Sequence, residues 1–422
     1  MRLPRPRNFV AAILVALALL AVGLLIAQDQ ETVRVRTELS ASDERFPSYL
    51  SRLLGHALAG GNEVLVLTNG EATYRAMLEA IASARHRVSF ETYIFAAGEV
   101  AERFTGAFEA AARRGVDVRI LLDSVGASGA DGAHISRLER AGGRIGWFNP
   151  VASWSLEEAN YRTHRKALVI DGEHAFVGGV GVADHWETDT ERYPRWRDTQ
   201  VALRGPVALD VEAAFNENWI ESGGVVDPDL LPHDAAPRGT TRAVAVWSSP
   251  EAGVSRTKLL YLLSLAASRR TLDIQSPYFI TDESTTWSLL DARSRGVRIR
   301  LLVEGDITDA KPVKFASRAL YERLLEAGIE IYEYRPTMMH TKAVMIDGLL
   351  SIVGSANFDN RSFELNDELN VAMFDAAVHR RLLSDFERDL KESTRLELEA
   401  WRARPFHIRT REKLWSLFGE VF

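Results

Sequence analysis

An eight-residue pattern, H-x-K-x-x-x-x-D, occurs twice in the chain, and the sequence around the two copies repeats as well. The copies run His164-Arg165-Lys166-Ala167-Leu168-Val169-Ile170-Asp171 and His340-Thr341-Lys342-Ala343-Val344-Met345-Ile346-Asp347. Lysine is scarce, with seven in the chain, yet two of them stand at the third position of this pattern. Around the copies, Ala112–Leu122 is similar to Ala292–Leu302, and Glu91-Thr92-Tyr93-Ile94-Phe95 falls where Gln275-Ser276-Pro277-Tyr278-Phe279 falls. Ala141-Gly142 matches Ala327-Gly328, and each motif is followed at one interval by Gly178-Gly179 or Gly354-Ser355. Two repeats are too few to stack as a solenoid. The spacing instead predicts two similar α/β halves facing each other across a pseudo-twofold axis.

Apolar runs of strand length alternate with helix-period segments: strands over 64–67, 88–95 and 116–122, helices over 74–84 and 100–112. This is the rhythm of a sheet covered by helices. The organisation that follows is an apolar anchor at 1–28, a polar linker at 29–45, a first half at 46–226, a linker at 227–242 rich in Pro, Asp and Ala, a second half at 243–395 and a basic amphipathic tail at 396–422. Phe9–Ala27 is continuously apolar and follows Arg2, Arg5 and Arg7. That length spans a bilayer as a helix. No small-residue cleavage site closes it, which favours a retained single-pass anchor over a cleaved signal. The arginines then stay cytoplasmic, with the catalytic part on the outer, periplasmic side of the cell membrane. A net charge of −7 argues against a nucleic-acid footprint over the whole surface. The absence of cysteine rules out disulfides and thiolate metal sites.

In a strand, residues two apart project from one face, which would put His164 beside Lys166 and His340 beside Lys342. Asp171-Gly172 and Asp347-Gly348 read as tight turns, so each aspartate either shapes a turn or acts on substrate. If the halves meet, two imidazoles and two ammoniums share one site. Two lysines can neutralise the oxygens of a phosphodiester, one imidazole can attack phosphorus, and the other can protonate the leaving alkoxide. Each imidazole needs a partner on its second nitrogen. Asp198 and Glu368, at similar intervals after their respective histidines, are the candidate orienting carboxylates.

These motifs, with Gly354-Ser355-Ala356-Asn357, Asp359–Asn366, Trp196-Arg197-Asp198-Thr199 and Phe215-Asn216-Glu217-Asn218-Trp219, resemble the phospholipase D superfamily, and within it the bacterial cardiolipin synthases. The resemblance extends from about Asn62 to Thr394. It implies two phospholipase D-like α/β/α sandwich halves and metal-independent, cofactor-free phosphoryl transfer through a phosphohistidine. His164, Lys166, Asp171, His340, Lys342 and Asp347 are then the catalytic set. His164 takes the nucleophile's role and His340 that of acid and base, although two near-symmetric histidines leave the reverse open. Ser355 and Asn357 would bind substrate. Gly178-Gly179-Val180-Gly181 departs from the pattern, because Gly181 stands where the family places Asn or Asp, and this predicts an asymmetric pocket.

The implied reaction makes cardiolipin and glycerol from two molecules of phosphatidylglycerol at a membrane. Lipid hydrolysis, a nuclease and a non-catalytic scaffold are the rivals; the acidic charge speaks against the nuclease and the intact motifs against the scaffold. The oligomeric state is left open. His185, Trp186 and Trp196 could line an entrance or pack a loop, and the long segment 149–162 could be a lid. The tail Trp401–Phe422, mixing arginines with Trp and Phe, reads as an interfacial element or as a helix docked on the domain.

Overall fold

The computed structural model describes residues 32–150, 160–189, 194–226, 234–250 and 253–419. The apolar stretch 9–27 and most of the proposed lid lie outside them. Among the described residues no helix is long and apolar enough to cross a membrane.

The first half contributes strands β1 (Ala59–Thr68), β2 (Arg87–Thr92), β3 (Asp117–Asp123), β4 (Arg144–Phe148), β5 (Arg162–Thr163), β6 (Ala167–Ile170), β7 (His174–Gly178) and β8 (Thr199–Arg204). The second contributes β9 (Thr241–Ser248), β10 (Thr271–Gln275), β11 (Phe279–Ile280), β12 (Arg298–Glu304), β13 (Glu330–Tyr334), β14 (Ala343–Ile346), β15 (Leu350–Gly354), β16 (Phe358–Asp359), β17 (Asn366–Phe374) and β18 (Ser393–Arg395). Nearly all join one sheet in the order β18-β13-β12-β10-β14-β15-β17-β9-β1-β8-β7-β6-β2-β3-β4, with β5 pairing β17 off this path. Reading outward from the central β9–β1 pair, the two sides carry strands in equivalent order. In each, helix-connected parallel strands (β2-β3-β4; β10-β12-β13) adjoin an antiparallel set that contains the motif (β6-β7-β8; β14-β15-β17).

Burial on both faces explains the strand sequences. β6 reads Ala-Leu-Val-Ile and β14 Ala-Val-Met-Ile, with every residue buried, as expected where helices cover both sides of a sheet. Each half has its own apolar core: Phe90, Phe104, Ile120 and Leu168 in one, Leu260, Ile274, Leu301 and Val344 in the other. A third core is shared. It packs Val169, Val177, Val201 and Val211 of the first half against Val353, Leu369, Val371 and Phe386 of the second. The shared layer and the continuous sheet make the halves one packed body, and they fix the motif-bearing edges relative to each other.

The turns after the motifs are left-handed, with Asp171 at φ 54° and Asp347 at φ 53°, each followed by a glycine at positive φ. Asp tolerates this conformation better than most residues, and Gly172 and Gly348 carry no Cβ to oppose it.

Candidate active site

The motif histidines do not lie in strands, as strand spacing had suggested. His164-Arg165-Lys166 runs between β5 and β6, and His340-Thr341-Lys342 precedes β14. Their backbone is held by the opposite half instead. The His164 N–H donates to Asp367 O at 2.9 Å and the His340 N–H to Arg197 O at 2.7 Å. β5 runs parallel beside Asn366-Asp367, and Arg197 makes the equivalent bridge to Met339.

The side chains cross in the same sense. His164 Nδ1 lies 3.0 Å from Glu368 Oε1, and His340 Nδ1 lies 2.8 Å from Asp198 Oδ2. The carboxylates are therefore the two that the sequence singles out, but each serves the histidine of the other half. Register explains their equivalence: Gly178 pairs Gln200 as Gly354 pairs Asn370, which puts Asp198 and Glu368 at matching positions. Neither half alone holds a complete histidine–carboxylate pair.

Both lysines are buried and face the same centre. Lys166 Nζ donates to His164 O at 2.7 Å, and Lys342 Nζ contacts both His340 O and His340 Nε2 at 2.8 Å. Burial, reinforced by the neighbouring Lys342 charge, pulls the Lys166 ammonium down to about 7. Burial pulls Lys342 down to about 8, against the attraction of Asp198. Burial and Lys166 push His164 down to about 4, and burial and Lys342 lower His340. Burial raises the carboxyls of Glu368 and Asp198, but their histidine partners and the lysines outweigh it and hold both below the ordinary range. The site thus holds two ionised carboxylates, two neutral imidazoles and two ammoniums crowded together, close to electroneutral but with the cations pressed against each other.

A cavity of about 390 Å³ opens over this centre. His164, Lys166, His340 and Asn357 line it together with Arg162, Arg361, Tyr278 and Asp309. With Nδ1 on Glu368, His164 leaves Nε2 toward the cavity, where no described residue bonds it. His340 Nε2 is engaged by Lys342. The Tyr93 ring packs edge-on to His164 at 5.4 Å, which limits its rotation. Buried Asn357 Oδ1 has no partner among the described residues.

Four placements correct the sequence reading. Asp171 is outside the cavity, at the far end of β6, where its carboxylate accepts backbone N–H groups of Arg85, His86 and Arg87. Asp347 does the same for Arg269, Arg270 and Thr271. Five residues of extended chain place each aspartate roughly 16 Å from its lysine, so both shape turns rather than act on substrate. Ser355 is fully buried and gives its hydroxyl to Glu368 Oε2, which makes it a support for the carboxylate and not a substrate ligand. Trp186, weighed as loop packing, reaches an orienting carboxylate: its indole Nε1 donates to Asp198 Oδ2 at 2.9 Å. It replaces Ser355 in the half where Gly179 stands, since a Cβ on Gly179 would meet Asp198 Oδ1 at 2.3 Å. Gly181 packs on Trp186 and Ile94, so the first half offers the cavity no counterpart of Asn357. Only the order of short polar and aromatic residues after the motif, Asp184-His185-Trp186, hinted at this.

Of the two readings of the tail, the structure shows the docked one. Trp401 is buried against Tyr321, with Arg404 3.3 Å above its ring, and Glu412 bonds Arg318 and Arg404. It is a docked element on helix Lys311–Glu326.

Two histidines, each oriented by a carboxylate from across a two-half α/β fold and flanked by buried lysines, define a phosphoryl-transfer enzyme of the phospholipase D type. A family described as "Cardiolipin synthase, PLD-like domain" matches residues 77–219 and 261–390. The cardiolipin synthase of Geobacillus kaustophilus (strain HTA426) is 32% identical over 403 residues, 94% of this chain and 80% of that protein. Cardiolipin synthase 2 of Bacillus anthracis is 34% identical over 365 residues, 85% of this chain and 70% of that protein. The crystal structure of a phosphatidylserine synthase from Haemophilus influenzae Rd KW20 shares the fold, with a TM-score of 0.68 at 14% identity, covering 89% of this chain and all of that one. The chain belongs to the cardiolipin synthase family of phospholipase D-like proteins.

Proposed function

We propose that this phospholipase D-type phosphatidyltransferase makes cardiolipin from two phosphatidylglycerols by two displacements on His164. In the first, His164 Nε2 attacks the phosphorus of one phosphatidylglycerol, a P–N bond forms, and the P–O bond to the headgroup breaks. His340 gives its proton to the departing glycerol. In the second, the hydroxyl of another phosphatidylglycerol loses its proton to His340 and attacks the phosphorus. The P–N bond breaks, cardiolipin leaves, and both histidines return to their starting states.

The single observation carrying this reading is the crossed arrangement, with His164 on Glu368 and His340 on Asp198. It leaves His164 Nε2 free as a nucleophile and keeps Lys342 on His340 Nε2 as a proton source. An arriving phosphodiester brings an anion between the two lysines. It relieves the repulsion between Lys166 and Lys342 and raises the proton affinity of His340, which readies it as the acid. Lys166, Lys342 and Asn357 hold the non-bridging oxygens. Tyr278 and Asp309, bonded to each other at 2.5 Å, suit the hydroxyls of the glycerol headgroup.

The repeated strand order and the crossed pairs support descent of the halves from one duplicated unit related by a pseudo-twofold axis, with boundaries near 46–226 and 243–395 and a linker at 227–242. Phe9–Ala27 serves as a single-pass anchor that holds the cavity at the outer face of the cell membrane. Purified enzyme given phosphatidylglycerol in mixed micelles tests the reaction. Cardiolipin with equimolar glycerol supports it. Phosphatidic acid as the main product makes the protein a hydrolase, and an unchanged lipid pool removes both readings.

A further inference from the structure

We propose that the C-terminal helix Phe406–Ser416, with Leu417 after it, is a second membrane contact that seats the cavity mouth on an anionic bilayer. One face of this helix is docked: Glu412 is buried on Arg318 and Arg404, and Arg411 lies 3.9 Å over the Phe315 ring. The opposite face carries Phe406, Leu414 and Leu417, with Thr410 between them turned back onto Phe406 O, and no other described residue covers the three apolar side chains. Phe406 is 83% exposed, Leu417 62% and Leu414 58%, the largest cluster of exposed apolar side chains in the described sequence. At 3.6 residues per turn the three fall within an arc of about 80°, directly opposite Glu412.

The occupant follows from charge and position. From Leu398 to Gly419 the chain carries five cationic side chains against two carboxylates, although the whole protein has a net charge of −7; Arg402, Arg404 and Arg409 pair with Glu322, Glu326 and Glu412, and Arg411 and Lys413 are the cations left for headgroups. Lys413 and Arg411 border the bare face, the pattern of a helix that lies in a lipid interface with its apolar face down and basic residues at the headgroups. The helix also sits beside the cavity. It packs on Lys311–Glu326, whose Val313 lines the cavity, and Gly419 approaches Ile280 of β11, the strand paired with β16. A bilayer touching Phe406, Leu414 and Leu417 would present lipid headgroups next to the cavity opening. This contact is separate from the N-terminal anchor and independent of which histidine attacks.

The absence of cysteine allows a direct test in the full chain. Leu414→Cys carrying a bimane label is reconstituted in phosphatidylglycerol vesicles with brominated acyl chains, with Glu139→Cys on the first half as control. At least a twofold loss of emission for the first label and none for the second is expected, with less quenching in purely zwitterionic vesicles. Emission unaffected by bromine but quenched by aqueous iodide would overturn the proposal. In mixed micelles, Phe406→Ser/Leu414→Ser/Leu417→Ser should raise the apparent surface KM severalfold at constant kcat, and an unchanged KM would count against it. Quenching without cardiolipin formation would refute the proposed reaction alone; cardiolipin formation without quenching would refute the membrane contact alone.

Discussion

Lys166 lets the electrostatic account be tested without any turnover. Its side chain is 2% exposed, next to a second ammonium, and its folded pKa is about 7. Against an unfolded value near 10.5, that difference costs the fold about 4 kcal/mol at neutral pH. Lys166→Met keeps the length of the side chain and removes the charge. The loss of the bond to His164 O returns about 1–3 kcal/mol of destabilisation. A net gain of about 1–3 kcal/mol remains, or a melting temperature higher by roughly 2–4 °C per kcal/mol. The sign with pH is also fixed. A lysine with a depressed folded pKa contributes stability that is complete above its unfolded pKa and lost as pH falls toward the folded one. Wild-type protein should therefore gain stability from pH 7 to 9, and Lys166→Met should flatten that slope while losing activity. Calorimetry in one detergent at pH 7, 8 and 9 reads both effects. A variant that melts lower than wild type at pH 7, or keeps the wild-type slope, would refute the idea that the buried, crowded Lys166 ammonium strains the fold.

Three other substitutions separate chemistry from architecture. Glu368→Gln leaves His164 with no ionised partner and should lower kcat by about 10²–10⁴-fold, as expected for an orienting carboxylate. Asp171→Ala removes three accepted backbone bonds remote from the cavity; it should cost about 2–4 kcal/mol in urea unfolding with near-normal kcat per folded molecule. Gly179→Ala forces a methyl onto Asp198 and should cut kcat at least tenfold by displacing the partner of His340, whereas the same change at the open Gly132 should be silent.

Much of the fold is legible from the repeat itself, because buried strands such as Ala167–Ile170 and Ala343–Ile346 read as apolar runs and the offset between copies is regular. The His-Lys pairs and the two carboxylates are legible as residues. Their pairing is not, because it depends on how β5 docks beside β17 and on the Arg197–Met339 bridge, contacts between segments about 140 to 200 residues apart that no local pattern encodes. The aspartates share the motif with the catalytic residues, so spacing alone cannot separate a turn cap from an acid. Only the three backbone donors around each reveal the difference. Trp186 was hidden for the converse reason. Its role is defined by a gap, the missing side chain at Gly179, which reads in sequence only as a departure from the second half.

The covalent step offers the most direct test of the central claim. Enzyme mixed with a short-chain phosphatidylglycerol, quenched at alkaline pH within the first turnover and digested, should yield a phosphatidyl adduct on the peptide containing His164. The adduct should be absent from His164→Asn; in His340→Asn, which lacks both the acid of the first displacement and the base of the second, it should form slowly and persist once formed. An adduct found on His340, or no adduct in any variant that still forms cardiolipin, would contradict the account.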